Sequence, residues 1–330
     1  MGRIAFIFPG QGSQSVGMGA ALAAASPAAA AVFAEADAAL GEALSRLAWE
    51  GPAEQLDRTE QAQPALVATS IAILAGLRER WSAEDLPVPE PAFLAGHSMG
   101  QYSALVAAGS LGLADAVRLV RERGRLMQAS GQGRDGAMAA LIGLPEEHLA
   151  ELLGRASGAG VLTVANRNAP GQIVVSGERP AIEAAAAVAR ELGARRAVVL
   201  PVSVAAHSPL MAEAAEGMRA VLRDVAIADP RPPLLANADG HPLETADAAR
   251  AELVEHLTRG VDWVRTIERL VAAGVDTFVE VGPGRVLTGL VKRIAPEATI
   301  LSTDDPAAPG GLAVPDLRPR LLAAPPAADR

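Results

Sequence analysis

A short apolar run that leads into a serine between two glycines constrains this chain most. Residues 92–95 predict a buried strand, the motif G-H-S-M-G follows at 96–100, and a segment compatible with a helix begins directly after it. In such a strand–turn–helix context the serine hydroxyl stands above the sheet, and glycines flank it because larger side chains would clash. The first N–H groups of the helix then point towards whatever the serine attacks. We interpret Ser98 as a nucleophile; the alternative is a structural turn whose serine only caps the helix.

A nucleophilic serine needs a neighbouring base, and the chain has five histidines. His207 follows the apolar run 199–204, interpreted as a strand, and precedes Ser-Pro, which is a helix-start signal. The carboxyl ends of strands are where α/β folds place their ligands, so we predict His207 as the base. The alternative for His207 is a structural role at the start of a helix, and His256 is the second candidate. Three histidines are not predicted to be the base: His97, expected to point away from the serine, His148 and His241.

The groups that would orient the base and stabilise the oxyanion are less evident in the sequence. Asp239, Asp262 or a backbone carbonyl could orient the histidine, and the carbonyl would make a Ser–His dyad. An oxyanion hole needs two donors, and the N–H of Met99 is one that follows from the motif. The second is expected from the Gly-Gln-Gly loop at 10–12, where the backbone can approach a substrate closely. A phosphate-binding role for this loop is disfavoured, because the Walker lysine and spacing are absent.

The predicted helix over residues 115–129 is rich in arginine. One of its guanidinium groups, turned into the pocket, would bind a substrate carboxylate through two parallel hydrogen bonds, while the others form a solvated face. The helical periodicity of the sequence does not show which arginine turns into the pocket. The candidates are Arg118, Arg121, Arg123 and Arg125.

Alternating strand and helix patterns predict an α/β fold with a mainly parallel sheet. Residues 134–202 follow the order β-α-β-β-α-β, which predicts a small ferredoxin-like subdomain inserted in the larger domain. The large catalytic domain would then comprise residues 1–133 and 203–302. Proline, glycine and alanine dominate from residue 303 to 330, and we expect that tail to be poorly ordered.

Composition excludes several functional classes. Only 3% of the 330 residues are aromatic and the net charge is −9, which argues against nucleic-acid binding. The absence of cysteine excludes disulfides, thiolate metal sites and a cysteine nucleophile. The uncharged stretch 4–34 is interrupted by Pro-Gly and by polar residues, so it predicts no membrane span, and the start lacks the apolar region of a signal peptide. We expect a cytoplasmic protein.

The motifs together resemble those of the malonyl-CoA:acyl-carrier-protein transacylases. These are stand-alone enzymes of type II fatty acid synthesis, and their relatives form the acyltransferase domains of polyketide synthases. The similarity runs from residue 4 to about residue 294, and it implies an α/β-hydrolase-like large domain around the ferredoxin-like insert. The segments that carry it occur in the family's order: 10–14, 51–54, 59–65, 96–100, Arg123-Gly124, 168–172, 201–207 and 280–284.

The resemblance implies a role for each site residue. Ser98 is acylated by the malonyl group, and His207 takes the serine proton and later protonates the thiol of coenzyme A. Arg123 pairs with the malonyl carboxylate, and the N–H groups of Gln11 and Met99 hold the oxyanion. Coenzyme A leaves, and the phosphopantetheine thiol of an acyl carrier protein attacks the acyl-serine. This is a ping-pong cycle without a metal or redox cofactor.

Several positions depart from the family pattern or extend it. Family members usually have Gln where His256 stands, and that residue orients the catalytic histidine through its main-chain carbonyl. Many have Leu in place of Met99, and Glu or Gly in place of Gln101. Arg196 matches a basic position near coenzyme A. Ala206 is small enough to leave room for an α-substituent, so both malonyl and substituted malonyl groups stay open.

Two further functions fit the sequence less well. The first is a serine hydrolase, including a proofreading enzyme that removes acyl groups from carrier proteins. A hydrolase of monoacyl thioesters has no use for a buried cation at Arg123, which would be costly if left unpaired. The second is a non-catalytic module that binds carrier proteins, and the presence of Ser98, His207 and Arg123 argues against it. The sequence does not distinguish fatty acid from polyketide synthesis.

Overall fold

The computed structural model describes residues 3–83, 89–131, 135–200, 202 and 204–304. These residues form two sheets and the helices that cover them. The strands are β1 (Arg3–Phe8), β2 (Phe93–Gly96), β3 (Gly136–Ile142), β4 (Leu162–Ala169), β5 (Gln172–Glu178), β6 (Arg196–Val199), β7 (Leu234–Leu235), β8 (Pro242–Leu243), β9 (Val261–Asp262), β10 (Val275–Glu280) and β11 (Thr299–Ser302).

Most helices connect strands of the large sheet along the chain, and two helices belong to the small subdomain. They are α1 (Ala20–Ala25), α2 (Pro27–Leu40), α3 (Leu44–Glu50), α4 (Ala53–Leu56), α5 (Thr59–Ala83), α6 (Gly100–Ala107), α7 (Leu113–Gly131), α8 (Leu149–Ala156), α9 (Arg179–Glu191), α10 (Ala212–Leu222), α11 (Ala246–Glu255), α12 (Trp263–Ala272) and α13 (Val286–Ile294). None of the described helices combines the length and the apolarity that crossing a bilayer requires.

The large sheet has the order β11-β10-β1-β2-β7-β8 and is parallel except for β8. Its central strand β1 is buried on both faces, as parallel strands between helical layers are. Phe6 and Phe8 pack into one core with α2, α5 and α7, whereas Ala5 and Ile7 pack into a second core with α12 and α13. The alternation follows from the two-residue period of a strand. The predicted α/β class with a mainly parallel sheet is confirmed.

The small sheet has the order β6-β3-β5-β4-β9. The chain order β3-α8-β4-β5-α9-β6 and three antiparallel pairings confirm the predicted ferredoxin-like unit. The sequence did not predict β9, a two-residue strand of the large body that pairs with β4 and extends the small sheet. The domain boundaries stay predictions, because residues 132–134 and 203 lie outside the described part, as do residues 305–330 of the predicted tail 303–330.

Two interpretations of the sequence are wrong in detail. The strand expected over 199–204 ends at its first residue: β6 stops at Val199, and the N–H of Val202 donates to the carbonyl of Leu200. Thr303, the first residue of the predicted poorly ordered tail, is buried, and its hydroxyl donates to the carbonyl of Glu280.

Candidate active site

Ser98 lies in a strained turn between β2 and α6. Its φ angle is +51°, in the left-handed region that few side-chain-bearing residues occupy. A Cβ on Gly96 would lie 2.0 Å from the carbonyl carbon of Gly100, and one on Gly100 would lie 2.3 Å from the carbonyl oxygen of Phe8. The turn therefore forms only with glycine at both positions, which is the geometry of a nucleophile elbow.

A buried histidine contacts the serine. The Ser98 hydroxyl lies 2.9 Å from Nε2 of His207, whose side chain is 4% exposed. On the other side of the ring, Nδ1 lies 2.6 Å from the carbonyl oxygen of His256 and 3.1 Å from that of Arg259. Because both carbonyls only accept, the Nδ1 nitrogen carries the proton, and Nε2 is free to accept one from the serine.

The group that orients His207 is the backbone carbonyl, one of the three alternatives that the sequence left open. The carboxylate of Asp239 instead accepts a hydrogen bond from the ring of His241 at 2.6 Å. That of Asp262 accepts from the N–H of Arg265 and caps α12. The site thus contains a Ser–His dyad that uses the same geometric principle as a triad.

Arg123 is the arginine of α7 that turns into the site. Its side chain is 1% exposed, and its Nη2 donates to the Ser98 hydroxyl at 3.1 Å. Its Nη1 donates to Oε1 of Gln63 at 2.9 Å, and its Nε donates to Nε2 of His256 at 3.3 Å. Every acceptor that Arg123 contacts among the described residues is uncharged. A buried guanidinium without a carboxylate partner is costly, so its position beside the nucleophile calls for an explanation.

The other three arginines of α7 do not enter the site. Arg118 and Arg125 are exposed and pair with Asp115 and Glu122, whereas the partly buried Arg121 pairs with Glu42 and donates to Gln61 at 2.9 Å.

Burial and the arginine charge keep the histidines of the site neutral. Desolvation, and after it the charge of Arg123, lower the pKa of His207 to about 3, although the bonds to two carbonyls act in the opposite direction. The same two causes, with the nearby His207, hold the pKa of His256 well below its usual range. Burial also raises the pKa of Tyr102, which packs against His256, to about 12. A neutral His207 is the form that can act as a base.

A second network, which the sequence analysis missed, holds the backbone of the serine. Asn237 accepts the Ser98 N–H at 2.7 Å and donates to the carbonyl of Gly96 at 2.8 Å. The buried carboxylate of Glu252 in turn accepts the N–H of Asn237 at 2.6 Å and the side-chain amide of Gln101 at 3.2 Å. Asn237 lies two residues after the end of β7, at the edge of the sheet where α/β folds place functional residues, and that position was a usable signal. Nothing in the local sequence marks Glu252.

The two predicted oxyanion donors lie on adjacent loops. The ends of β1 and β2 pair, with Phe8 opposite Gly96, and the next residue His97 donates its N–H to the carbonyl of Phe8. The loop after β1 therefore lies against the elbow, where a Cβ on Gly10 would be 2.7 Å from the carbonyl oxygen of His97. Gln11 follows in that loop, and its side chain reaches Thr59 at 3.3 Å. The oxyanion roles of Gln11 and Met99 stay predictions.

Not every candidate joins this cluster. Arg196 is exposed on β6, paired across the small sheet with Ile142, and stands apart from the buried groups. The ring of His97 faces the small subdomain, where Nε2 lies 2.9 Å from Oδ1 of Asn168 and the ring packs on Trp263. His148 and His241 lie at the surface beside acidic side chains. In the described part of the chain no three acidic or histidine side chains are grouped as a metal ion would require.

A strained serine bonded to a neutral histidine at the edge of a parallel sheet is the arrangement expected of an acyl-transfer enzyme with a serine nucleophile. The family model of the acyl transferase domain matches residues 5–305. The malonyl CoA-acyl carrier protein transacylase of Escherichia coli K12 is 44% identical over 308 residues, which are 93% of this chain and 98% of that protein. The chain belongs to the acyl transferase domain family, in its branch of malonyl CoA-acyl carrier protein transacylases.

Solved structures agree in fold. The crystal structure of an acyl carrier protein S-malonyltransferase from Vibrio cholerae has a TM-score of 0.86 and 41% identity, and the match covers 91% of this chain and 96% of that one. A malonyl-transacylase in complex with the acyl carrier protein of a type II polyketide synthase has a TM-score of 0.85 and 41% identity, covering 91% and 95%.

Proposed function

We propose that this protein transfers a malonyl group from malonyl-CoA to the phosphopantetheine thiol of an acyl carrier protein, through a malonyl ester on Ser98. The observation that carries the proposal is the buried guanidinium of Arg123, 3.1 Å from the serine hydroxyl and without an acidic partner among the described residues. The free carboxylate of a malonyl thioester supplies the missing anion, and the serine attacks the thioester carbonyl at the other end of the same group.

The first half-reaction acylates the serine. As the Oγ of Ser98 attacks the thioester carbonyl, its proton moves to Nε2 of His207, and the carbonyl of His256 stabilises the imidazolium that forms. The N–H groups of Met99 and Gln11 hold the negative charge of the tetrahedral intermediate. Its collapse breaks the carbon–sulfur bond, and the departing thiolate of coenzyme A takes the proton back from the histidine.

The second half-reaction runs the same steps in reverse order. His207 accepts the proton of the phosphopantetheine thiol, the thiolate attacks the malonyl ester, and the alkoxide of Ser98 leaves with that proton. The proposed cycle uses no metal or redox cofactor, since both steps are acyl transfers between oxygen and sulfur. Two half-reactions with one enzyme-bound intermediate predict ping-pong kinetics.

The substrate also tunes the base in this proposal. The charge of Arg123 is one cause of the low pKa of His207. A malonyl carboxylate bound to Arg123 cancels part of that charge, so the pKa of His207 rises towards neutrality and the histidine becomes a stronger base. Thioesters without a carboxylate leave the pKa of the base depressed.

The partners follow from the same chemistry. A carrier protein is proposed as the acceptor, and a similar malonyl-transacylase whose structure was solved with an acyl carrier protein supports it. Coenzyme A thioesters and carrier proteins occur inside cells, so we propose a cytoplasmic location. Neither nucleic acid nor a membrane takes part. Ala206 beside His207 leaves a substituted malonyl group as a second candidate substrate.

Intact-protein mass spectrometry tests the proposal. Incubation with malonyl-CoA should add one malonyl group to the protein, and a holo acyl carrier protein should then remove it and gain the same mass. Ser98→Ala should abolish the modification, whereas Ser157→Ala, at an exposed serine, should not. Modification that persists in Ser98→Ala would refute the intermediate. Release of free malonate in the presence of carrier protein would instead identify a hydrolase.

A further inference from the structure

One residue contacts both the base and the carboxylate-binding arginine. His256 ends α11 and is 1% exposed. Its carbonyl oxygen accepts from Nδ1 of His207 at 2.6 Å, and its ring nitrogen Nε2 accepts from Nε of Arg123 at 3.3 Å. The backbone carbonyl of this residue therefore orients the catalytic base His207. Its side chain is placed to orient Arg123, the arginine proposed to bind the substrate carboxylate. The two functions can be separated, because a substitution changes the ring and keeps the carbonyl.

The hydrogen bond to Arg123 fixes the state of the ring. Nε2 accepts from a permanent cation, so the single proton of the neutral imidazole must lie on Nδ1. That Nδ1 is buried and has no hydrogen-bond partner among the described residues. The titratable groups packed around the ring are Arg123, His207 and Tyr102, none of which is an anion in the neutral range. A buried N–H without a partner is costly. The ring therefore adopts the tautomer that accepts from Arg123 at Nε2, although this tautomer leaves the N–H at Nδ1 without a partner.

The acceptor at His256 limits how Arg123 can bind a ligand. Gln63 takes one N–H of Nη1, and His256 takes the N–H of Nε. These two bonds hold the guanidinium plane at two points. Since Nη2 also donates one hydrogen to Ser98, one hydrogen of Nη1 and one of Nη2 remain for an incoming carboxylate. A planar donor that is already oriented loses less entropy when it binds, and small displacements of a substrate-positioning group reduce rates strongly.

We propose that the imidazole of His256 is a positioning residue for carboxylate recognition, which orients Arg123 through Nε2 while the carbonyl of the same residue orients His207. The inference rests on the proposed function, because it concerns the malonyl carboxylate. A side-chain amide at this position would also offer an acceptor. The ring and the amide are therefore two solutions for the same guanidinium.

Two substitutions at His256 test this role. His256→Leu keeps the carbonyl and much of the bulk but removes the acceptor, whereas His256→Gln keeps an acceptor. For His256→Leu we expect the KM for malonyl-CoA to rise about tenfold, since one bond to a buried charged group is lost. Slow acetylation of Ser98 by acetyl-CoA, followed by intact mass, should stay within about twofold, because the base is held by the backbone.

The control variants sharpen the result. His256→Gln should recover the KM for malonyl-CoA to within about threefold of the wild-type value by supplying the amide oxygen as acceptor. His148→Leu, at a half-exposed histidine of the small subdomain, should change neither the KM for malonyl-CoA nor the rate of acetylation by acetyl-CoA. The pH profile of acylation should be the same in His256→Leu as in the wild type, because His207 keeps its carbonyl partners.

Three outcomes would overturn the inference. Equal losses with malonyl-CoA and acetyl-CoA would mean that the ring only supports packing. An unchanged KM in His256→Leu would mean that Arg123 needs no acceptor there. A failure of His256→Gln to recover binding would mean that the hydrogen bond is not what matters. Wild-type protein that is not malonylated would refute the proposed function itself, which these three results would leave intact.

Discussion

At the scale of single residues, the site contains a positive charge, that of Arg123, which no neighbouring acidic group among the described residues neutralises. Arg123 is buried, and its contacts are the neutral side chains of Gln63, His256 and Ser98. Its charge also acts on the base, because it is the second cause, after burial, of the depressed pKa of His207. We therefore expect the site to select a substrate carboxylate in two ways, through binding to Arg123 and through the strength of the base.

Removal of this charge should raise the pKa of the base. In Arg123→Gln one of the two effects that lower the pKa of His207 is absent, so its protonation midpoint moves up from about 3. The neutral form activates Ser98, and reactivity is lost as the pH falls through this pKa. Inactivation by a sulfonyl fluoride, which carries no carboxylate, should therefore decline at higher pH in the variant than in the wild type.

Arg125→Gln is the matched control, since Arg125 is exposed and paired with Glu122 on the same helix. Its inactivation profile should coincide with that of the wild type. A profile of Arg123→Gln that is unshifted, or shifted to lower pH, would contradict the assigned effect of the charge.

At the scale of elements, the close approach of α5 and α7 positions Arg123. A Cβ on Gly124 of α7 would lie 2.6 Å from the Cα of Glu60 on α5, so only glycine allows the two backbones to come this near. The same helix pair brings Gln63 to the guanidinium. The glycine after the arginine thus has a packing reason that is independent of the chemistry.

We expect Gly124→Ala to destabilise the protein by about 1–3 kcal/mol, because backbone atoms of Glu60 cannot move away as a flexible side chain could. Gly154→Ala in α8 is the control, since nothing lies within 4 Å of the added Cβ there. That substitution should stabilise the protein by about 0.5–1 kcal/mol through helix propensity. Urea unfolding measures both, and equal effects of the same sign would contradict the packing argument.

The elements also show where sequence reasoning succeeds and where it ends. The elbow was predictable, because its strand, glycines and helix are contiguous and Ser98 is identified by local sterics. His207 was found for a partly wrong reason, since the strand that should have led to it ends at Val199. The contacts of Asn237 and Glu252 link segments up to 151 residues apart and leave no local pattern. A backbone carbonyl such as that of His256 has no residue identity to detect.

At the scale of the whole molecule, the site lies where the two sheets meet. The ring of His97, beside the nucleophile, bonds Asn168 on β4 of the small sheet. Strand β9 joins that sheet from the large body, and His207 follows the last strand of the small subdomain. Serine, histidine and arginine thus come from segments before and after the insert, so their geometry depends on the correct packing of both parts.

The most direct test of carboxylate recognition by Arg123 is a competition of two thioesters for the serine. Wild-type protein and Arg123→Ala are each mixed with equimolar malonyl-CoA and acetyl-CoA, and intact mass reports which group Ser98 carries. The wild type should carry malonyl in at least about a hundredfold excess, because acetyl leaves the buried guanidinium without a counter-ion, which costs several kcal/mol. Arg123→Ala should reverse the preference towards acetyl, because the malonyl carboxylate then has no partner. A malonyl preference that survives in Arg123→Ala would show that the guanidinium does not recognise the carboxylate.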